Sequence, residues 1–267
     1  MFKFVFGVQY DGSEFFGWQR QPKVPTVQAA LEAALSQIAA EPVVVQVAGR
    51  TDAGVHASGQ VAAFTCSAER GLADWLRGLN GLTPSSIRIL WVQPAPDDFH
   101  PRFTAIARRY QYVFSDQAAS DPFIRRLAWC TQSLDADAMH NAAQALIGER
   151  DFSSFRAAGC QSLTAVRRVN RCEVRRIAGL VLLDIEANAF LLHMVRNIAA
   201  SLQTVGTGQA ELTIAELVHA KDRRLAAQTG PPQGLYLRAV RYSDITLPDG
   251  ERPSLLNGVS LSSTLDL

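Results

Sequence analysis

The sequence predicts an α+β protein made of two successive βαββαβ units. Three observations lead there. The first segment alternates apolar and polar residues at the period of a strand. The segments after it switch between that period and the 3.6-residue period of amphipathic helices, in the order strand, helix, two strands, helix, strand. A second, looser round of the same order follows. With 267 residues, 48% hydrophobic and 19% charged, the chain has room for one or two domains and the composition of a packed core.

In chain order, Phe2, Phe4, Phe6, Val8 and Tyr10 share one face of a strand over 2–10, the pattern of a half-buried strand. A turn rich in glycine and aromatics follows, from Asp11 to Trp18. Val27, Leu31, Leu35 and Ile38 fall on one helical face within 26–40, with Thr26 as N-cap and Pro42 as a stop. Val43–Val47 and Gln60–Cys66 read as strands, 69–79 as a helix and 86–93 as a closing strand. That is a ferredoxin-like order. In the second half, Phe103–Phe114 is a strand, 135–147 a helix ended by Gly148, and Val166–Arg176 with Leu180–Ala187 a hairpin. Asn188 is expected to cap a helix over 189–205 whose buried face is Leu191, Val195, Ile198, Leu202 and Val205. A short helix at 213–220 and a strand at 234–242 complete the round. The boundary falls in FHPRF, which divides the chain into 1–102 and 103–267, and the polar tail after Asp244 is expected to be loosely ordered.

No apolar run approaches membrane-spanning length, and the N-terminal segment reads as strand rather than signal peptide. Cys66, Cys130, Cys160 and Cys172 form no CxxC pair, which argues against a disulfide scaffold or a cysteine zinc site and for a reducing, cytoplasmic setting. Net charge is only +1, yet 23 of the 26 basic residues are Arg. Residues 1–100 carry 7 basic and 9 acidic residues, whereas 102–176 carry 12 Arg and 7 acids. Arginine grips phosphate in a planar, bidentate way, so an Arg-rich second half fits an RNA partner, although Arg-for-Lys bias alone gives the same count.

The densest unusual segment is GRTDAGVHASGQ, residues 49–60, placed between two predicted strands. It is not a P-loop, because Val55 and His56 stand where Lys and Ser/Thr are required. It is not a GxSxG elbow, and no pair of the five His forms HExxH. What remains is Asp52 beside Arg50: a loop carboxylate paired with its neighbour, or a catalytic carboxylate kept ionised by guanidinium groups. Glycoside hydrolysis normally takes two carboxylates, and no second acid stands near Asp52 in the sequence. A single Asp suits a reaction at a glycosidic carbon that needs no water.

GRTDAGVHA resembles the catalytic motif of the tRNA pseudouridine synthase A family. The resemblance runs from about Phe2 to Tyr242 and includes YDGSEFFGWQRQ (10–21), PDDFHPRFTAIARRYQY (96–112), GERDFSSFR (148–156), ANAFLLHMVRN (187–197) and GLYLRAVRY (234–242). Pro101 replaces a common Ala, Leu192 a common His, and the tail after Asp244 matches no family motif. The resemblance implies two ferredoxin-like domains whose antiparallel sheets meet at a central basic cleft, a homodimer, no cofactor and no metal. It implies conversion of uridine to pseudouridine in the tRNA anticodon stem-loop, at about tRNA positions 38 to 40. Asp52 becomes the essential carboxylate, attacking C1′ or taking the 2′ proton. Tyr110 maps to the active-site tyrosine, and Arg196 to the arginine that pairs with Asp52. Without the resemblance, Tyr110 reads as core and Arg196 as an exposed helix residue sharing a face with His193 and Asn197. Leu235 or Leu237 would wall the base pocket. Arg50, Arg20, His100, Arg102, Arg108, Arg109, Lys221 and Arg223 are candidate RNA contacts, with Asn197 beside Arg196 added to the substrate set. His56 is assigned to the same set, or to holding the loop by hydrogen bonds. The rival readings are a non-catalytic RNA-binding module, which would not need Asp52, and a nucleoside hydrolase, which needs a second carboxylate.

Overall fold

The first strand, β1 (Phe2–Tyr10), is more deeply buried than simple alternation requires. Phe4, Phe6 and Val8 face one way, yet Val5 on the other face is also fully buried. The indole of Trp91 lies across that second face, so close that a Cβ on Gly7 would sit 2.4 Å from it. A glycine is therefore needed there by close approach. The computed structural model describes residues 1–116 and 122–248. Ten strands and five α-helices are present among these residues.

After β1 come α1 (Val27–Ala39), β2 (Gln46–Val47), β3 (His56–Cys66), α2 (Leu72–Leu82) and β4 (Ile87–Pro94). Thr26 caps α1 by accepting the Ala29 N–H, as its sequence position predicts. The strand expected at Val43–Val47 shrinks to two residues because its N–H groups find side chains instead of a ladder. Ser36 Oγ accepts from Val43, and the buried Glu32 carboxylate accepts from Val45. Phe4, Phe64 and Trp75 then lock α2 onto the sheet, with ring centroids 5.0–5.7 Å apart.

The second half contains β5 (Ala105–Ser115), β6 (Trp129–Cys130), α3 (Ala136–Ala143), β7 (Gly148–Asp151), β8 (Val166–Ile177), β9 (Leu180–Ala187), α4 (Met194–Gly206), α5 (Ile214–Ala220) and β10 (Leu235–Tyr242). The helix expected from 189 begins only at Met194. Asn188 does not cap it, because its side-chain oxygen takes the N–H groups of Arg168 and Ala189 at the end of the β8–β9 hairpin. His193 occupies the N-cap position at φ 60°, with no capping side-chain bond. Residues 245–248 lie along the first half, where Gln93 Nε2 donates to the Thr246 carbonyl at 3.1 Å and Ile245 and Leu247 pack on the core. The rest of the expected loose tail, 249–267, lies outside the described residues.

The strands form one continuous sheet in the order β4-β1-β3-β10-β5-β9-β8-β7, with β2 on β3 and β6 on β5. Within the first half the order is β4-β1-β3-β2, and within the second β10-β5-β9-β8. Both halves thus follow the same fourth-first-third-second order with antiparallel neighbours. Two separate sheets were the expectation. The halves instead fuse through a short parallel contact, Tyr236↔His56 and Leu237↔Ala57. The shortness of β2 leaves this end of β3 free for β10.

The fusion depends on Gly59. A Cβ there would lie 1.9 Å from the Arg238 carbonyl oxygen. Gly59→Ala is expected to destabilise the protein by about 2–3 kcal/mol through overpacking. Urea unfolding would register this as a lower midpoint with an unchanged slope; an unchanged midpoint would refute the role given to this glycine.

Candidate active site

The loop between β2 and β3 is fastened from several sides, and its conformation follows from those fastenings. Gln60 Nε2 donates to the Gly49 carbonyl at 2.7 Å, and the hydroxyls of Tyr10 and Thr51 bond at 2.8 Å. The Trp18 N–H donates to the Thr51 carbonyl, and the Gly54 N–H to the Phe15 carbonyl. The 11–18 turn therefore braces the loop from outside. It reaches that position only because Gly12 and Gly17 admit backbone: a Cβ on either would come within 2.0 and 2.7 Å of loop carbonyl oxygens.

This bracing delivers Asp52 into a cleft of about 700 Å³. Its side chain is 31% exposed. One oxygen, Oδ2, lies 3.2 Å from Arg196 Nη1 and 3.3 Å from His193 Nε2. Arg196 is aimed by a second bond, in which its Nε donates to the Gly230 carbonyl at 2.8 Å. Across the cleft, the Tyr110 ring meets Phe190 edge-on at 5.0 Å. A Cβ built on Gly49 would lie 3.6 Å from the Tyr110 hydroxyl, an ordinary contact, which places that hydroxyl against the start of the Asp52 loop. Burial, reinforced by Tyr10 and the Asp52 charge, pushes the Tyr110 phenol far above its ordinary range. It stays protonated and acts as a hydroxyl, not a phenolate.

Arg50, His100, Arg102 and Leu235 also line the cleft, as does Arg108. Asp52 is the one carboxylate among the described residues that line it. Other residues of the candidate substrate set lie outside this lining. His56 begins β3, buried and stacked on Tyr236 at 4.7 Å. Its Nε2 bonds the Arg126 carbonyl, and its Nδ1 faces the Gly12 N–H and the Asp11 carboxylate. This is the loop-holding role, with no access for a substrate. Arg109 follows Arg108 on β5 and so points to the opposite face, where it pairs with the buried Asp184 at 2.8 Å. Asn197 is fully buried, not exposed beside Arg196. Its Nδ2 donates to the Phe155 carbonyl, and its Oδ1 accepts from Thr229 and Arg223. Arg223 is consumed in that cluster, Lys221 sits 3.6 Å from Asp151, and Arg20 pairs with Glu32 outside the cleft. Leu237 is buried in the core.

His193 was missed. Its signal lay in the sequence: it stands three residues before Arg196, a spacing that brings two side chains to one end of a helix. Its backbone, in the left-handed region, is unusual for a residue other than glycine and turns the ring toward Asp52. Partial burial, with Arg196 and Arg223 near, holds the imidazole below its ordinary value against the pull of Asp52. Asp52→Asn removes that pull, so the His193 pKa should fall further. Imidazole proton NMR across pH 4–8 would test this; a rise on substitution would contradict the geometry.

Among the described residues, no group of three or more His, Cys, Asp or Glu could hold a metal ion. No helix among the described residues is long and apolar enough to cross a membrane.

The family model described as tRNA pseudouridine synthase matches residues 7–104 and 142–243. Proteins named tRNA pseudouridine synthase A from Escherichia coli (strain SMS-3-5 / SECEC) and Shigella boydii serotype 18 are each 50% identical over 246 residues, covering 91% of both chains. Among solved structures, a chain of a Cbf5-Nop10-Gar1 complex aligns with a TM-score of 0.32 and 13% identity, over 88% of this chain and 49% of its own. That likeness is too loose to carry an argument.

Proposed function

Since the chain belongs to the tRNA pseudouridine synthase family, we propose that it isomerises uridine to pseudouridine in the anticodon stem-loop of tRNA, at about tRNA positions 38 to 40. The observation that carries this reading is the single carboxylate of the cleft, Asp52, clamped by Arg196 and His193. A hydrolase would need a second carboxylate roughly 5–9.5 Å away, and Asp52 has none on the cleft wall among the described residues. An isomerase needs none, because its leaving group is also its incoming nucleophile.

The steps follow from charge and position. The target base leaves the helical stack and enters the cleft, at a cost of a few kcal/mol. Asp52 either attacks C1′ or removes the 2′ proton, and the bond between C1′ and the uracil nitrogen breaks with its electron pair on the base. The base turns without leaving and C5 bonds to C1′, displacing the Asp52 carboxylate on the first route or adding to the glycal as C2′ regains its proton on the second; the C5 proton is then lost and N1 takes one up. Leu235 packs against the base. Tyr110, a neutral hydroxyl, takes part in proton transfer at C2′ or C5. Arg50, Arg102 and the buried Arg108 supply the positive field that holds the phosphates, and His100, kept neutral by its burial, adds a hydrogen-bonding group.

The architecture is read as two ferredoxin-like domains, 1–102 and 103 onward, facing each other across this basic cleft. The matching strand orders of the two halves support that division. A cytoplasmic homodimer that uses no cofactor or metal completes the proposal and rests on the family resemblance.

Tritium release from tRNA carrying 5-³H-uridine tests the chemistry. Wild type should release tritium without free uracil. Asp52→Asn should lose a factor on the order of 10⁴ in rate, while still binding tRNA. Release of free uracil, or activity retained in Asp52→Asn, would overturn the mechanism. Binding should also weaken steeply with salt, log K falling by about 0.7–0.9 per phosphate contact for each unit of log salt. A flat response in a filter-binding titration would remove the phosphate field.

A further inference from the structure

The chemistry above draws on His100 and Arg102 of the turn at residues 100–104 but gives no part to the aromatic residue beside them. Phe103 stands on that turn with 76% of its surface exposed. A lone exposed apolar side chain is ordinary. What distinguishes this one is the number of bonds that fix the turn beneath it. The His100 carbonyl accepts both the N–H and the hydroxyl of Thr104. The His100 ring nitrogen Nδ1 faces the N–H groups of Arg102 and Phe103 at 3.1 and 3.4 Å. The Pro101 carbonyl takes the Tyr242 hydroxyl at 2.7 Å, and the Arg102 carbonyl takes the buried Arg108 guanidinium. A turn tied down at each of these groups holds an apolar ring out to solvent. The His100 ring lies 4.3 Å from the Phe103 ring, and the Arg102 guanidinium lies 5.7 Å above it.

We propose that this turn is a second nucleobase subsite, in which Phe103 stacks on an unpaired base of the RNA strand that carries the target uridine, and Arg102 meets that nucleotide's phosphate. The proposal rests on the synthase reading. Three features favour a base over an apolar peptide side chain. The ring is flat and flanked by cationic or polarisable groups, the arrangement that stacks bases. It lines the same cleft as Asp52. Extruding the target uridine also exposes the faces of its neighbours in the stack, which an already ordered ring can cover with little further loss of entropy.

The test is a series at one position, Phe103→Ala, Phe103→Leu and Phe103→Trp, assayed for binding and turnover of a transcribed tRNA labelled with 5-³H-uridine. Phe103→Ala should raise Kd and KM by roughly 5- to 150-fold, the range measured for loss of one base–aromatic stack, with kcat changed far less. Phe103→Trp should stay near wild type, and Phe103→Leu should resemble Phe103→Ala. If Leu performs as well as Phe, the contact is merely apolar and stacking is refuted. If Ala matches wild type in Kd and KM, the subsite does not exist. Wild-type turnover separates the two layers. Tritium release with a flat series rejects the subsite alone. No release, with the series still ordering RNA affinity, rejects the synthase reading and keeps the stacking site. Because the side chain is exposed, thermal unfolding should be unchanged across the series, and that measurement guards against loss of fold.

Discussion

Arg108 is the group on which the assembly of the cleft depends. It is buried on β5, and its guanidinium donates to four carbonyls: Ala48, Arg102, Ala105 and Asn188. These belong to the approach to the Asp52 loop, the turn bearing Phe103, the start of β5 and the end of β9. One side chain thus sets the spacing of the cleft walls. Burying a guanidinium is costly unless its donors are satisfied, and burial does push its pKa down. Four fixed carbonyls compensate without introducing a carboxylate. That matters chemically, since a buried acid at this place would add a second negative group beside Asp52.

The Asp52 end obeys the same logic with the sign reversed. Its Oδ2 accepts from Arg196 and lies 3.3 Å from His193 Nε2, whereas Oδ1 has no hydrogen-bond partner among the described residues. A carboxylate held by one oxygen is oriented, and its other oxygen remains available to a ligand. Arg196 could not perform this unaided. Its fork is fixed by the Gly230 carbonyl, and the Gly230 N–H donates back to the Arg196 carbonyl. Close packing against Tyr112 and Trp129 holds Gly230 in place: a Cβ there would approach both rings and the Arg196 carbonyl oxygen within 3.3 Å. The strained His193 backbone brings the ring beside the same oxygen at some cost in local stability.

Local patterns were legible in the sequence wherever one physical cause decides the outcome. The N-cap at Thr26 needs only a hydroxyl and a following apolar stripe, and the β8–β9 hairpin needs only alternation and a turn. Features set by distant partners were not legible. Nothing local says that Val43–Val47 will give its N–H groups to Ser36 and Glu32, or that β10 will pair with β3. The helix at Met194 starts late because Asn188 is occupied at the hairpin end. Arg109 and Asn197 are different: strand alternation separates Arg109 from Tyr110, and a rotation of about 100° separates Asn197 from Arg196. Strict use of those periods assigns both to other faces. The motif resemblance located Asp52, Tyr110 and Arg196 together, but His193 came from geometry.

The arginine bias, ambiguous as a count, becomes informative once each guanidinium's partner is known. A guanidinium that donates to carbonyls keeps its charge, whereas one that donates to a carboxylate shares it in a neutral pair. On the cleft wall, Arg108 and Arg167 donate to backbone carbonyls, and Arg50 and Arg102 have no acidic partner among the described residues. On the opposite face of the sheet, Arg109 pairs with Asp184, Arg241 with Glu186 and Arg171 with Glu173. The chain is close to neutral overall, yet these three arginines are paired with acids while Arg50, Arg102, Arg108 and Arg167 on the cleft wall are not. A polyanion meeting this protein is drawn to the face that holds Asp52. Asp52 can face a polyanion there because the fixed guanidinium groups around it outnumber it.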